Sequence, residues 1–178
     1  LETDTNFSSY TAASYFLKEE RQNYNSNYFI GPYENGGQVF QAEFEEGEGW
    51  FGAAFTSPVT KTINTSNAYG NGPNAEIEIV LIGANLQDHS VDISFGSTNY
   101  TATYSKIKVN YLNFSESAQN LSSTTSITFS PTISPSDRNT LAYIAITYPH
   151  DFNLNNSTQS KLTIPDASSP SKSYLEIA

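Results

Sequence analysis

The chain has 178 residues, with 12 Tyr, 11 Phe, no Cys, no Met and a formal net charge of −10. Without cysteine it holds neither a thiol nucleophile nor thiolate-bound zinc, and its acidity disfavours nucleic acid, because phosphates are repelled and the eight Lys and Arg are scattered. No apolar run approaches the roughly 20 residues of a membrane span, and the first 20 residues lack the basic start and apolar middle of a signal peptide.

The length suits one domain over residues 1–178. Aromatic and hydroxylated residues favour pleated surfaces while Asn, Ser and Gly favour turns, which is the profile of an all-β extracytoplasmic protein.

In chain order, Tyr15–Glu19, Tyr28–Ile30, Val39–Phe44 and Val59–Ile63 are short strand candidates. Thr11–Glu20 is the best helix candidate, yet its aromatic and β-forming residues limit any helix to a turn or two. The clearest strand is Ala75–Ala84, with Ile77, Ile79 and Leu81 on one face and Glu76 and Glu78 on the other; Val80 and Ile82 make its second half apolar on both faces. Ser90–Phe95 repeats the alternation, and residues 96–99 supply a turn into Tyr100–Tyr104. Ser126–Phe129 and Thr140–Tyr148 follow, the latter apolar on both faces and therefore central. Ser173–Ala178 reads as a final strand cut short, so the chain reads as an excised part of a larger protein. Together these predict a single jelly-roll-like β-sandwich with little or no helix, rather than an immunoglobulin type, whose marker disulfide is missing.

Only His89 and His150 could act as a catalytic base, and no G-x-S-x-G elbow is present. His89 is expected in a turn between strands, and His150 in a loop where it hydrogen-bonds backbone. No catalytic residue is assigned, so the chain is read as a non-enzyme. The stretch Phe44–Gly52 concentrates carboxylates, glycines and the single tryptophan. Its first reading is a structural turn, with Trp50 and Phe51 restarting a strand and anchoring the core. No cofactor is assigned; calcium stands second to the turn, since Glu45, Glu46 and Glu48 offer hard oxygen ligands, although their spacing is not that of an EF-hand. Trp50, Tyr69 and Tyr111 are the candidate stacking platforms for a glycan.

Three segments in order carry a family resemblance. These are Tyr15-Phe16-Leu17-Lys18-Glu19-Glu20, Gly47-Glu48-Gly49-Trp50-Phe51, and the late strand Leu141-Ala142-Tyr143-Ile144-Ala145-Ile146-Thr147-Tyr148-Pro149. They resemble the β-rich region that precedes the peptidase domain in gingipain-type cysteine peptidases of Bacteroidetes, especially the cell-surface, sortase-like (PorU-like) peptidases of type IX secretion. The departures are Ala142 and Ala145, where the family tends to larger or acidic residues, and His150-Asp151, where a basic residue is usual. The resemblance implies a non-catalytic accessory domain at the cell surface or secreted. Its partners would be the peptidase domain of the same chain and outer-membrane secretion components. The family's Cys-His dyad belongs to the peptidase domain, so no catalytic residue carries over to this cysteine-free chain. The competing reading is a secreted carbohydrate-binding or adhesion module of jelly-roll type.

Overall fold

Period-two alternation of apolar residues builds two sheets that bury one face against each other. The computed structural model describes residues 11–29, 33–34, 37–38, 49–96, 98–133, 135–154, 161–165 and 173–174. In chain order the strands begin with β1 (Thr11–Ala12), β2 (Phe16–Asn23), β3 (Asn27–Tyr28), β4 (Tyr33–Glu34) and β5 (Gly37–Gln38). Next come β6 (Trp50–Phe51), β7 (Val59–Asn64), β8 (Ala75–Gly83), β9 (Asp88–Phe95) and β10 (Thr98–Ser105). The last are β11 (Val109–Glu116), β12 (Thr124–Pro131), β13 (Asn139–His150) and β14 (Ser173–Tyr174). Helix among the described residues is one 3-10 turn, Ala118–Asn120, capped by the Ser117 hydroxyl.

One four-stranded sheet runs β10-β9-β12-β7 and the other β11-β8-β13-β2. Every neighbouring pair in both is antiparallel. The fold is therefore an all-β, jelly-roll-like sandwich. Ile77, Ile79 and Leu81 of β8 meet Val91, Ile93 and Phe95 of β9 and Ile127 and Phe129 of β12 in the main core. At about 25 cal/mol per Å2 of apolar surface removed from water, this shared face is the main source of stability.

The outer face of the second sheet carries a smaller cluster. Val80 and Ile82 there pack with Phe29, Phe51 and Ile107, with Ala142 and Tyr143 at its margin. Glu76 and Glu78, on the same face of β8, remain outside that cover.

β13 is central, as its sequence predicts, pairing with β8 on one side and β2 on the other. Its alternation is interrupted once. The register shifts between Leu141 and Tyr143, so Leu141, Ile144, Ile146 and Tyr148 all enter the main core while Ala142 bulges. The helix candidate Thr11–Glu20 is also overridden: its second half belongs to β2, which runs on to Asn23 because β13 offers a full ladder. β11 is a strand beyond those expected: Leu112 and Phe114 alternate with Tyr111 and Asn113 and pack towards the main core. The expected strand at Val39–Phe44 lies outside the described residues.

Two placements of histidine are corrected. His89 is not in a turn: it sits in β9, 1% exposed. His150 is not in a loop: it ends β13, 2% exposed, because the β2 ladder continues past Pro149 to pair it with Phe16, and an isolated bridge to Ala68 covers its other side. Its Nδ1 does contact a backbone carbonyl, that of Asp151.

Candidate functional site

Three places carried chemistry in the sequence: the histidines, the acidic loop and the exposed aromatics. His89 enters a buried polar network. Its Nδ1 is 2.6 Å from Asp137 Oδ1, and its Nε2 is 3.3 Å from the Asn85 carbonyl. Asp137 also accepts from Asn139 Nδ2 at 2.9 Å and from the Ser90 N–H at 3.2 Å. Tyr104 stacks on the His89 ring at 4.8 Å and donates its hydroxyl to Asn139. Burial, then the Asp137 charge, pushes that hydroxyl far above its ordinary pKa and keeps it a donor. Both His89 and Asp137 side chains are fully enclosed. Without access for a substrate, and with the Ser90 hydroxyl engaged by Thr132, the network is structural rather than hydrolytic.

The calcium candidates Glu45, Glu46 and Glu48 lie outside the described residues. Among the described residues no three His, Asp or Glu side chains converge to hold a metal.

Trp50 and Phe51 part company. In the two-residue strand β6 successive side chains point to opposite faces, so Phe51 is 1% exposed while Trp50 is 52% exposed. Phe51 fills the small outer cluster; the expectation that Trp50 anchors the core is corrected. Trp50 instead leans on Tyr28, ring centroids 5.3 Å apart at 54°. Gly49 makes this possible with a φ of +68, and a Cβ there would stand 2.8 Å from the Phe29 carbonyl oxygen and 2.8 Å from the Tyr28 ring.

The bulge in β13 positions the surroundings of Trp50. The Ala142 carbonyl accepts the Tyr24 N–H at 2.8 Å, and the Leu141 carbonyl accepts the Gly52 N–H at 2.8 Å. The Thr140 hydroxyl closes the arrangement by donating to the Gly52 carbonyl at 2.7 Å. Gly52 is needed for this approach, since a Cβ would come within 3.0 Å of Tyr24 Cβ. Between the two segments lies an open cleft of about 470 Å3 lined by Asn23, Tyr24, Asn25, Trp50 and Ala142. Burial pushes the Tyr24 hydroxyl up to about 12.

Beside the cleft, the Arg21 guanidinium lies 3.6 Å from the Tyr143 ring centroid and donates from Nε to Asn23 Oδ1 at 3.0 Å. Tyr143 donates to Glu78 at 2.5 Å. Burial first, then the Glu78 hydrogen bond and charge, raises the Tyr143 pKa against the opposing influence of Arg21.

The three predicted glycan platforms do not converge. Tyr111, 59% exposed, aligns through Val80 and Tyr143 with Asn23, three strand spacings or roughly 14 Å across the sheet. Tyr69 stacks on Tyr15 at 5.6 Å and bonds to the Pro149 carbonyl, six residues along β13 from Tyr143 and so roughly 20 Å away.

With this geometry in place, comparison with solved structures is informative about the fold. Dimeric latent PorU from Porphyromonas gingivalis matches over 84% of this chain and 14% of the PorU chain, at a TM-score of 0.55 and 13% identity. The sandwich shares the fold of a segment of PorU. The chain spans only that 14% of PorU, so PorU as a whole is a much longer protein. The CBM36-1 domain of a multidomain xylanase from the hindgut metagenome of Trinervitermes trinervoides is also similar, at 0.41 and 12% identity over 73% of this chain and 95% of that one. A carbohydrate-binding module CBM36 in complex with calcium and xylotriose matches at 0.40 and 10% over 72% and 98%. No family model and no curated protein sequence matches this chain.

Around the cleft, sequence reading found Trp50 but missed Asn23, Asn25, Arg21 and Tyr143. Arg21 and Asn23 share one strand face with period two, a signal visible in the sequence once β2 is extended past Glu20. Nothing in the sequence pairs His89 with Asp137, which lie 48 residues apart.

Proposed function

We propose that the chain is a non-catalytic accessory domain of a secreted or cell-surface gingipain-like cysteine peptidase of type IX secretion. The observation that carries this reading is the PorU likeness, which spans 84% of this chain but 14% of PorU, as a module within a far longer protein would. The ordered motifs around Tyr15, Trp50 and Leu141 favour the same family. The domain acts by packing and presentation: two antiparallel sheets with a shared aliphatic and aromatic core form a stiff body. Its partners are the peptidase domain of the same chain and outer-membrane secretion components. With no cysteine, this domain leaves peptide-bond cleavage to the peptidase domain.

Two measurements test it. The parent gene should encode a caspase-like α/β region with a His and a Cys, and that region, expressed separately, should co-purify with the 178-residue chain. A parent without such a region would overturn the assignment.

A secreted carbohydrate-binding or adhesion module is the second reading. The exposed Trp50 beside an open cleft is the observation that favours it.

A further inference from the structure

Among the described residues, the side chains lining the Trp50 cleft, Asn23, Tyr24, Asn25, Trp50 and Ala142, are all uncharged at neutral pH. The indole is half exposed, and the Tyr28 ring packs against it. It therefore offers an apolar plate that one ring contact already helps to orient before anything binds. Asn23 has its Oδ1 engaged by Arg21, which orients the amide and leaves its two N–H donors. Asn25 is exposed and its amide makes no hydrogen bond among the described residues. Arg21 itself is committed to the Tyr143 ring and to Asn23.

A flat apolar plate rimmed by amides matches a pyranose ring. One sugar face presents C–H groups to the indole, while the hydroxyl rim both donates and accepts, as amides do. An anionic sugar would call for a free cation, and none is present among the described lining residues. We propose that the cleft binds a neutral oligosaccharide, with Trp50 as the stacking platform and the Asn23 and Asn25 amides meeting its hydroxyls. This specifies a site and ligand class for the second reading above and is independent of the peptidase parentage.

Trp50 is the only tryptophan, so its emission reports on this site alone. The 178-residue chain is titrated with cellohexaose, xylohexaose and mannohexaose, and with hexagalacturonate as the anionic comparison. At least one neutral hexasaccharide should shift the emission saturably, and hexagalacturonate should not. By calorimetry Trp50→Ala should abolish binding, Trp50→Phe should retain part of it, and Asn25→Ala should weaken it at least about tenfold. Circular dichroism of the variants should match that of the parent chain. The proposal is overturned if no neutral sugar shifts the emission at millimolar concentration, if Trp50→Ala binds as well as the parent, or if hexagalacturonate binds more tightly. Such a failure leaves the peptidase reading, which is tested on the parent gene, untouched.

Discussion

His89 Nδ1 and Asp137 Oδ1 meet at 2.6 Å with both side chains enclosed, joining β9 to the segment that leads into β13. The first sheet is thereby tied to the second through a polar contact inside an otherwise apolar interior. Removing one member strands the other without solvent.

Asp137→Ala should therefore destabilise the chain by about 3–5 kcal/mol. His89→Ala should cost a similar amount, and the double variant less than the sum of the two, because they share one interaction. Urea denaturation of the three variants measures this. A cost below about 1 kcal/mol for Asp137→Ala would remove the network's structural role.

Phe51 and Trp50 are adjacent but should respond oppositely to truncation. Phe51→Ala opens a cavity beneath the outer cluster and should cost about 3–5 kcal/mol, whereas Trp50→Ala should stay within about 1 kcal/mol of the parent. Thermal or urea melts of the pair decide it, and equal losses would contradict the assignment of their faces.

Glu116, 6% exposed, ends β11 and accepts from Thr98 Oγ1 at 2.6 Å, Asn120 Nδ2 at 2.5 Å and the Ser117 N–H at 3.1 Å. Burial alone would raise its pKa, but the three hydrogen bonds together outweigh it and hold the carboxyl below its ordinary value of 4.5. The folded state thus favours the charged form. Its stabilising contribution is complete above the unfolded value and is lost as pH falls through the lower, folded one. Melting series from pH 7 down to about pH 3 should show Glu116→Gln losing less stability on acidification than the parent. Parallel curves would contradict the shift.

The acidic stretch Glu45, Glu46 and Glu48 is read first as a turn, with calcium second. Melting temperatures with EDTA and with excess calcium should then coincide. A rise of several degrees with calcium would replace the turn reading with a metal site.

Strand content was legible in the sequence wherever one face is buried and the other wet. β8 and β9 show it: isoleucines and valine alternate with glutamate, aspartate and serine, and the period alone assigns the inward face. What escaped were features set by partners distant in the chain. Trp50 and Phe51 are both large aromatics, so composition could not say which of the two faces inward; β6 pairing with β3 decides that. The bulge at Ala142 depends on the register with β8, which local alternation does not encode. His89 read as a turn residue because Asp88 and Ser90 are polar, whereas its burial depends on Asp137. The cleft was half visible, through its aromatic and not its amides, since asparagine is so common in this chain that no single one carries a signal.

β13 holds the second sheet together, since among the described residues β2 has its one long ladder with it and β8 takes one side of its own from it. The loops at Tyr24, Gly52 and Phe55 also bond to its backbone. Yet it begins at residue 139. A chain emerging amino end first from a ribosome cannot complete that sheet until this late strand has arrived. Before then β2 and the apolar edge of β8 must be carried unpaired. The order of residues thus imposes a waiting period during which the nascent chain is threadable, adhesive and in need of shelter.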